Sequence, residues 1–243
     1  MKKTTLFISL LFTLSLFGCN GAFQSSVEGD GNSIEKNFSV AEFSVVDVSH
    51  AFTVEITVGD ETSVKIETDE NLMKYVEVYV KNNTLYIGVE NNVNIDGRMK
   101  AIISTPKLNG VDLSGACKID VEGIESNKFS IDMSGACKGT FSGNTKKLDI
   151  DLSGATKLNT ADLKAVDVTV DVSGASKCSV YSSSSLFADA SGASKIVIYG
   201  DPPKVETDVS GASSITSNWF WNWYYIKVTL HIKINLIRRS NVW

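Results

Sequence analysis

The sequence predicts an all-β chain. Its main body is a right-handed parallel β-helix, or β-solenoid, with coils of about nineteen residues, preceded by a β-rich N-terminal half. Three observations carry this expectation. One phrase recurs six times, as Asp112-Leu-Ser-Gly-Ala-Cys-Lys118, Asp132-Met-Ser-Gly-Ala-Cys-Lys138, Asp151-Leu-Ser-Gly-Ala-Thr-Lys157, Asp171-Val-Ser-Gly-Ala-Ser-Lys177, Asp189-Ala-Ser-Gly-Ala-Ser-Lys195 and Asp208-Val-Ser-Gly-Ala-Ser-Ser214. The Asp positions step by 20, 19, 20, 18 and 19 residues, and a nearly fixed period of this size means stacked supersecondary units. The 243 residues hold only three prolines and almost no long helical pattern.

The chain opens on residues that stand outside the fold. Lys2 and Lys3 form a positive segment, and Leu6 to Phe17 form an apolar run of about a dozen residues. That run is too short for a stable membrane span and suits a signal peptide over residues 1–18. It ends in Leu16-Phe17-Gly18-Cys19, which resembles a bacterial lipobox. The resemblance implies cleavage before Cys19 and lipid attachment to its thiol, hence a membrane partner. An ordinary signal peptide with a chance cysteine is the alternative. Residues 19–35 then read as the anchor and a Gly/Ser/Asn-rich tether.

Residues 36–110 do not carry the phrase yet are rich in strand patterns. Phe52-Thr-Val-Glu-Ile-Thr-Val58 alternates, and Gly59-Asp60 turns it into Ser63-Val-Lys-Ile-Glu-Thr68. Asp69-Glu-Asn-Leu-Met-Lys74 fits a single helical turn capped by Asp69. Tyr75-Val-Glu-Val-Tyr-Val80 and Thr84-Leu-Tyr-Ile-Gly-Val89 flank Lys81-Asn82-Asn83, a hairpin signal.

Residues 111–217 are the repeat. Val111 and Leu113 flank Asp112, and the equivalent apolar pairs recur in the next coils, which is the period-two pattern of a half-buried strand. Ser-Gly-Ala breaks the run, because glycine accepts the positive φ of a sharp bend and alanine fits a crowded corner. A second strand follows, with Ile119 and Val121 inward and Lys118 and Asp120 outward, so each coil holds two strands and two turns. One coil cannot bury its own apolar face. Coils stacked ~4.8 Å apart align like positions into ladders and close a continuous core. Leucine-rich repeats need an Asn and a run of leucines in each coil, and neither is present.

Residues 218–243 depart from this pattern. After Asp208 there is no acidic residue, and all four tryptophans and two of the three arginines lie in this stretch. Ile226 to Leu236 alternates as one amphipathic strand. A cap on the open end of the solenoid, a membrane or partner contact, and a non-native tail from a shifted reading frame all fit the composition.

Ala51-Phe-Thr-Val-Glu-Ile-Thr-Val-Gly-Asp60, Asp69-Glu-Asn-Leu72, Asn83-Thr-Leu-Tyr-Ile87 and the Asp-x-Ser-Gly-Ala ladder together resemble the head GIN domain family, adhesin-like exported proteins common in Bacteroidetes. The resemblance spans about residues 36 to 217. It implies a pectin-lyase-like β-helical fold without recognised catalytic residues and a role in adhesion. Fold analogy alone does not establish function.

The candidate sites are few. The net charge of −5, with both signs interspersed, argues against a nucleic-acid partner. The histidines, His50 and His231, have no repeated partner, and no Ser/His/Asp set, phosphate loop, zinc spacing or cofactor motif is evident. Cys117 and Cys137 share one inward repeat position, which later coils fill with Thr156, Ser176, Ser194 and Ser213. A ladder of small buried side chains, a disulfide between adjacent coils and, least readily, a metal site are the readings for that position.

The outward row Asp112, Asp132, Asp151, Asp171, Asp189 and Asp208 is the candidate binding feature. Neighbours ~5 Å apart repel by roughly 0.8 kcal/mol in bulk water. The lysine row across the turn (Lys118, Lys138, Lys157, Lys177, Lys195), hydrogen bonds to turn amides or a bound cation could offset this. A solvated, turn-stabilising row is the plainest reading. The function expected is a lipid-anchored protein of the cell envelope, on the outer membrane and facing either side of it. It binds a glycan or protein ligand on its solenoid surface rather than catalysing, and oligomerisation stays open. A structural or signalling envelope module and a carbohydrate-active enzyme on a β-helical scaffold are the alternatives.

Overall fold

Strands that alternate inward and outward residues stack in register to build the molecule. The computed structural model describes residues 26–218. The expected signal peptide, Cys19 and the tail beyond Asn218 lie outside them.

The fold is a β-solenoid, and its repeat region has the predicted periodicity. Strands β1 (Val27–Glu28) and β8 (Ile95–Asp96) form a small parallel pair, and the other strands form one continuous sheet. Its long members are β11 (Lys118–Met133), β12 (Lys138–Leu152), β13 (Lys157–Val172) and β14 (Lys177–Ala190), all paired in parallel. They stack like position on like position, Asp132 on Asp151 on Asp171 on Asp189 and Lys138 on Lys157 on Lys177.

The second turn expected in each coil is absent as a break. Each long strand instead runs from the Lys of one phrase to the second position of the next. It bends through register irregularities at Val121/Ile124, Thr140/Ser142 and Thr160/Ala165. Extra residues at such bulges turn a strand without ending its ladder.

Two faces flank the Ser-Gly-Ala corner. The Asp face stacks β6 (Val76–Lys81), β7 (Thr84–Val89), β3 (Val45–Val48), β10 (Gly110–Leu113), the C-terminal parts of β11 to β14, and β16 (Lys204–Val209). The Lys face stacks β2 (Ser33–Phe38), β5 (Ser63–Asp69), β9 (Met99–Thr105), β4 (Phe52–Val58), the N-terminal parts of β11 to β14, β15 (Lys195–Tyr199) and β17 (Ser214–Ser217).

Two expectations change here. First, β4 and β5 do not pair with each other. β9 lies between them, parallel to β4 and antiparallel to β5. β4 thereby keeps the parallel direction that β11 requires on its other side. Second, Asp69 precedes α1 (Glu70–Met73) but its side chain does not cap the helix; it accepts from the Gly31 amide instead. The β6–β7 hairpin forms as expected, with Asn82 and Asn83 at positive φ in its turn.

The interior is filled by the inward rows. Val111, Ile131, Ile150, Val170 and Ala188 form one of them, fully or nearly fully buried. Size is balanced between coils. Gly139 stands in line with Ile119 and Leu158, and the Phe141 ring occupies the space that a Cβ there would need. Phe141 also meets Phe129 edge to face at 6.1 Å.

Candidate binding faces

The phrase begins one coil earlier than the six repeats indicate. Asp47-Val-Ser-His-Ala51 in β3 and its turn stacks in register on Asp112-Leu-Ser-Gly-Ala116, with Asp47 opposite Asp112 and Val48 opposite Leu113. His50 takes the corner glycine's place at φ 74, and its carbonyl accepts from the Ala116 amide at 2.6 Å. Ala136 makes the same bond to Gly115 at 2.7 Å. A Cβ on Gly135 would meet the Gly115 carbonyl oxygen, and the Ser-Gly-Ala corners of later coils repeat that clash. His50 is the first corner of the stack, so no corner carbonyl lies beneath its side chain.

The Asp row therefore has seven members, from Asp47 to Asp208, all on the outer side of one face. Among the described residues no cation lies within 4.0 Å of these carboxylates, and none accepts a hydrogen bond from a turn amide. The lysine row does not reach round the corner to them. The row consequently carries its own repulsion. Partial burial raises the Asp112 carboxyl, with Asp47 and Asp132 adding to the effect. Shielding from water, then Asp171 and Asp208, raises Asp189, and burial raises Asp47.

Beside the Asp row runs a mixed row of Ser130, Asp149, Thr169, Phe187 and Glu206. Phe187 in this row is 44% exposed. The next row holds Lys128, Lys147, Asp167, Ser185 and Lys204, and a groove runs between the two. Lys128 pairs with Asp149 at 2.8 Å, and the Ser185 hydroxyl donates to Asp167 at 2.6 Å. The groove thus presents an aromatic face among carboxylates and amines.

The Lys face is the second surface. Lys118, Lys138, Lys157, Lys177 and Lys195 are exposed and stacked in register. Inward from this row, Cys117 and Cys137 are free thiols, each 2% exposed, and Cys178 is a free buried thiol in a different row. Among the described residues no three metal-ligating side chains come together.

A family model described as "Putative auto-transporter adhesin, head GIN domain" matches residues 42–202. The chain belongs to this family. Among curated proteins, none matches its sequence. Several solved structures share the fold. A "putative adhesin" from Bacteroides fragilis is 19% identical with a TM-score of 0.67, covering 79% of this chain and 100% of its own. A "Putative lipid binding protein" from Parabacteroides distasonis is 19% identical, TM-score 0.54, over 79% and 99%. A "putative adhesin" from Parabacteroides merdae is 16% identical, TM-score 0.52, over 79% and 98%.

Reading the repeat alone misses three features of this head GIN domain. Asp47 escapes because His50 replaces the corner glycine, although Asp, Ser and Ala keep their spacing. Phe187 escapes because it lies outside the repeated phrase, although its parity with Asp189 already makes it outward. The signal was its place in a row otherwise polar. The third is the unpaired state of most of the lysine row, which depends on which acids share its face.

Proposed function

We propose that this head GIN domain protein is a lipid-anchored, non-catalytic binding protein of the cell envelope with an adhesion-like role. One observation carries the reading. Its exposed functional groups repeat in rows from coil to coil, and rows serve extended ligands. Catalysis by acid and base needs a few groups with distinct environments converging on one bond. The family and fold support binding in general. The apolar run ending at Gly18-Cys19 supports the anchor, and no helix among the described residues is long and apolar enough to cross a membrane.

The test has two parts. Cys19→Ala should release the protein from membranes or leave an uncleaved precursor, and fatty-acid labelling that persists in the variant sinks the anchor. The wild-type chain on a glycan and peptide array should show weak, multivalent retention. Turnover of a polysaccharide, abolished by a single Asp→Asn change, would overturn the binding role.

A further inference from the structure

The lysine row changes character along the solenoid. At its N-terminal end each lysine has an acid beside it on the same face: Lys100 pairs with Glu55 at 2.9 Å and Lys118 with Asp120 at 3.5 Å. The residue two positions after the phrase lysine then ceases to be acidic. Thr140, Asn159, Ser179 and Val197 stack where Asp120 stood. Lys138, Lys157, Lys177 and Lys195 follow one another, and among the described residues no carboxylate lies within 4.0 Å of any of them. A net-negative chain thus keeps four stacked cations bare, although the sequence shows how one acid per coil neutralises them. Tyr181 and Tyr199 stack two further positions along β14 and β15, with the Lys164 ammonium 4.1 Å from the Tyr181 ring centre, so an aromatic pair lies beside the row of cations and the row of hydroxyl and amide groups.

We propose that this face binds a linear acidic polysaccharide lying along the solenoid axis, a reading that rests on the binding role proposed above. The chemistry matches row by row. Ammonium groups meet carboxylates, Thr140, Asn159 and Ser179 meet ring hydroxyls, and the Tyr199 ring offers an apolar face to a sugar. The rise of ~4.8 Å per coil is comparable to one sugar unit in an extended chain, so successive charges stay in register. A single file of cations suits a chain better than a bilayer, which would need a broad basic surface. An acidic chain also displaces the counterions that the four lysines otherwise hold.

The experiment uses the full chain in detergent and immobilised polygalacturonate, with a neutral galactan and immobilised glycerophosphate, the phosphatidylglycerol headgroup, alongside. Wild type should be retained on polygalacturonate, and raising the salt should release it. The K138Q/K157Q/K177Q/K195Q variant should lose affinity by about tenfold or more, since several exposed ion pairs vanish together. K74Q/K81Q/K107Q/K146Q removes as much charge elsewhere and should change affinity less than about twofold. Circular dichroism and melting confirm that both variants fold.

Equal losses in the two variants overturn the proposal, because net charge alone would then explain binding. Retention on glycerophosphate but not on polygalacturonate overturns it in favour of a lipid headgroup. Binding of other array ligands without polygalacturonate overturns this inference and leaves the broader binding role standing. An array with no retained ligand overturns both.

Discussion

The Cys117 amide donates a hydrogen bond to the Cys137 sulfur, 3.3 Å away in the next coil. The same rung recurs from the Thr156 amide to the Ser176 hydroxyl at 3.2 Å and from the Ser194 amide to the Ser213 hydroxyl at 3.4 Å. In this inward row Cys137, Ser176 and Ser213 each accept from the amide one coil below. The row is therefore a hydrogen-bonding device as well as a packing one.

The two thiols titrate as a pair. The hydrogen bond from the Cys117 thiol lowers Cys137 to about 7, and the same bond, then burial, holds the proton on Cys117 far above its usual range. An unfolded thiol ionises near about 8.5. Between about pH 7 and 8.5 the folded pair has released one proton and the unfolded pair less, so stability rises with pH there. Above about 8.5 the unfolded pair releases both while the folded pair keeps one, so stability falls. The melting temperature of wild type minus that of Cys117→Ser/Cys137→Ser should peak near pH 8 to 8.5 under reducing conditions. A difference that stays flat from pH 6.5 to 9.5 excludes the shared proton.

Corner glycines should divide sharply by position. Gly154 has φ +79, and a Cβ there would meet the Gly135 carbonyl oxygen beneath it. Gly154→Val should therefore cost well over ~1 kcal/mol, from the strained φ together with the clash. His50 sits at φ 74 without a corner carbonyl below, so His50→Gly relieves strain and should hold or slightly raise the melting point. Thermal melts of the two variants decide the matter, and a tolerated Gly154→Val contradicts the corner geometry.

The solenoid was legible because the repeat states its own register. Asp132, Ile131 and Met133 already fix which side faces in, and neighbouring coils copy the choice. The N-terminal half was less legible because its strands pair out of chain order. Nothing local in Phe52 to Thr68 says that Met99–Thr105 will lie between its two strands. The Asp row was readable as outward, but its missing partners were not. Whether Lys118 turns to Asp120 or to Asp112 depends on the angle at the corner, which no spacing encodes. Asp69 illustrates the same limit, since its carboxylate is taken by the distant Gly31 amide rather than by the helix it precedes.

Thr156 breaks the rung pattern. Its hydroxyl is the one buried side-chain oxygen among the described residues without a hydrogen-bond partner. Thr156→Val removes the orphan hydroxyl at nearly constant volume and leaves the backbone amide bond to Ser176 in place. Leaving a buried polar group unpaired costs about 1–3 kcal/mol, so the variant should gain roughly 1 kcal/mol by denaturant unfolding. A loss of stability would mean that Thr156 finds a partner in solution.

Asp112 tests the row of like charges. Its folded carboxyl is raised by partial burial and by Asp47 and Asp132, so the folded state binds a proton more readily than the unfolded state. For a raised acid the destabilisation is complete above the folded pKa and vanishes as pH falls below the unfolded value. Asp112→Asn removes the charge without altering the strand, so it should raise the melting temperature at pH 7 and leave it nearly unchanged at pH 3. The outer carboxylates lie in water, and salt should shrink the gain at pH 7. Because Asp47 adds to the raising of Asp112, Asp47→Asn should yield a smaller further gain in the Asp112→Asn background than alone. Additive gains would show that burial of each carboxyl, rather than repulsion along the row, sets the effect. A lower melting temperature for Asp112→Asn at pH 7 would mean that a cation or a donor from solvent holds the row together.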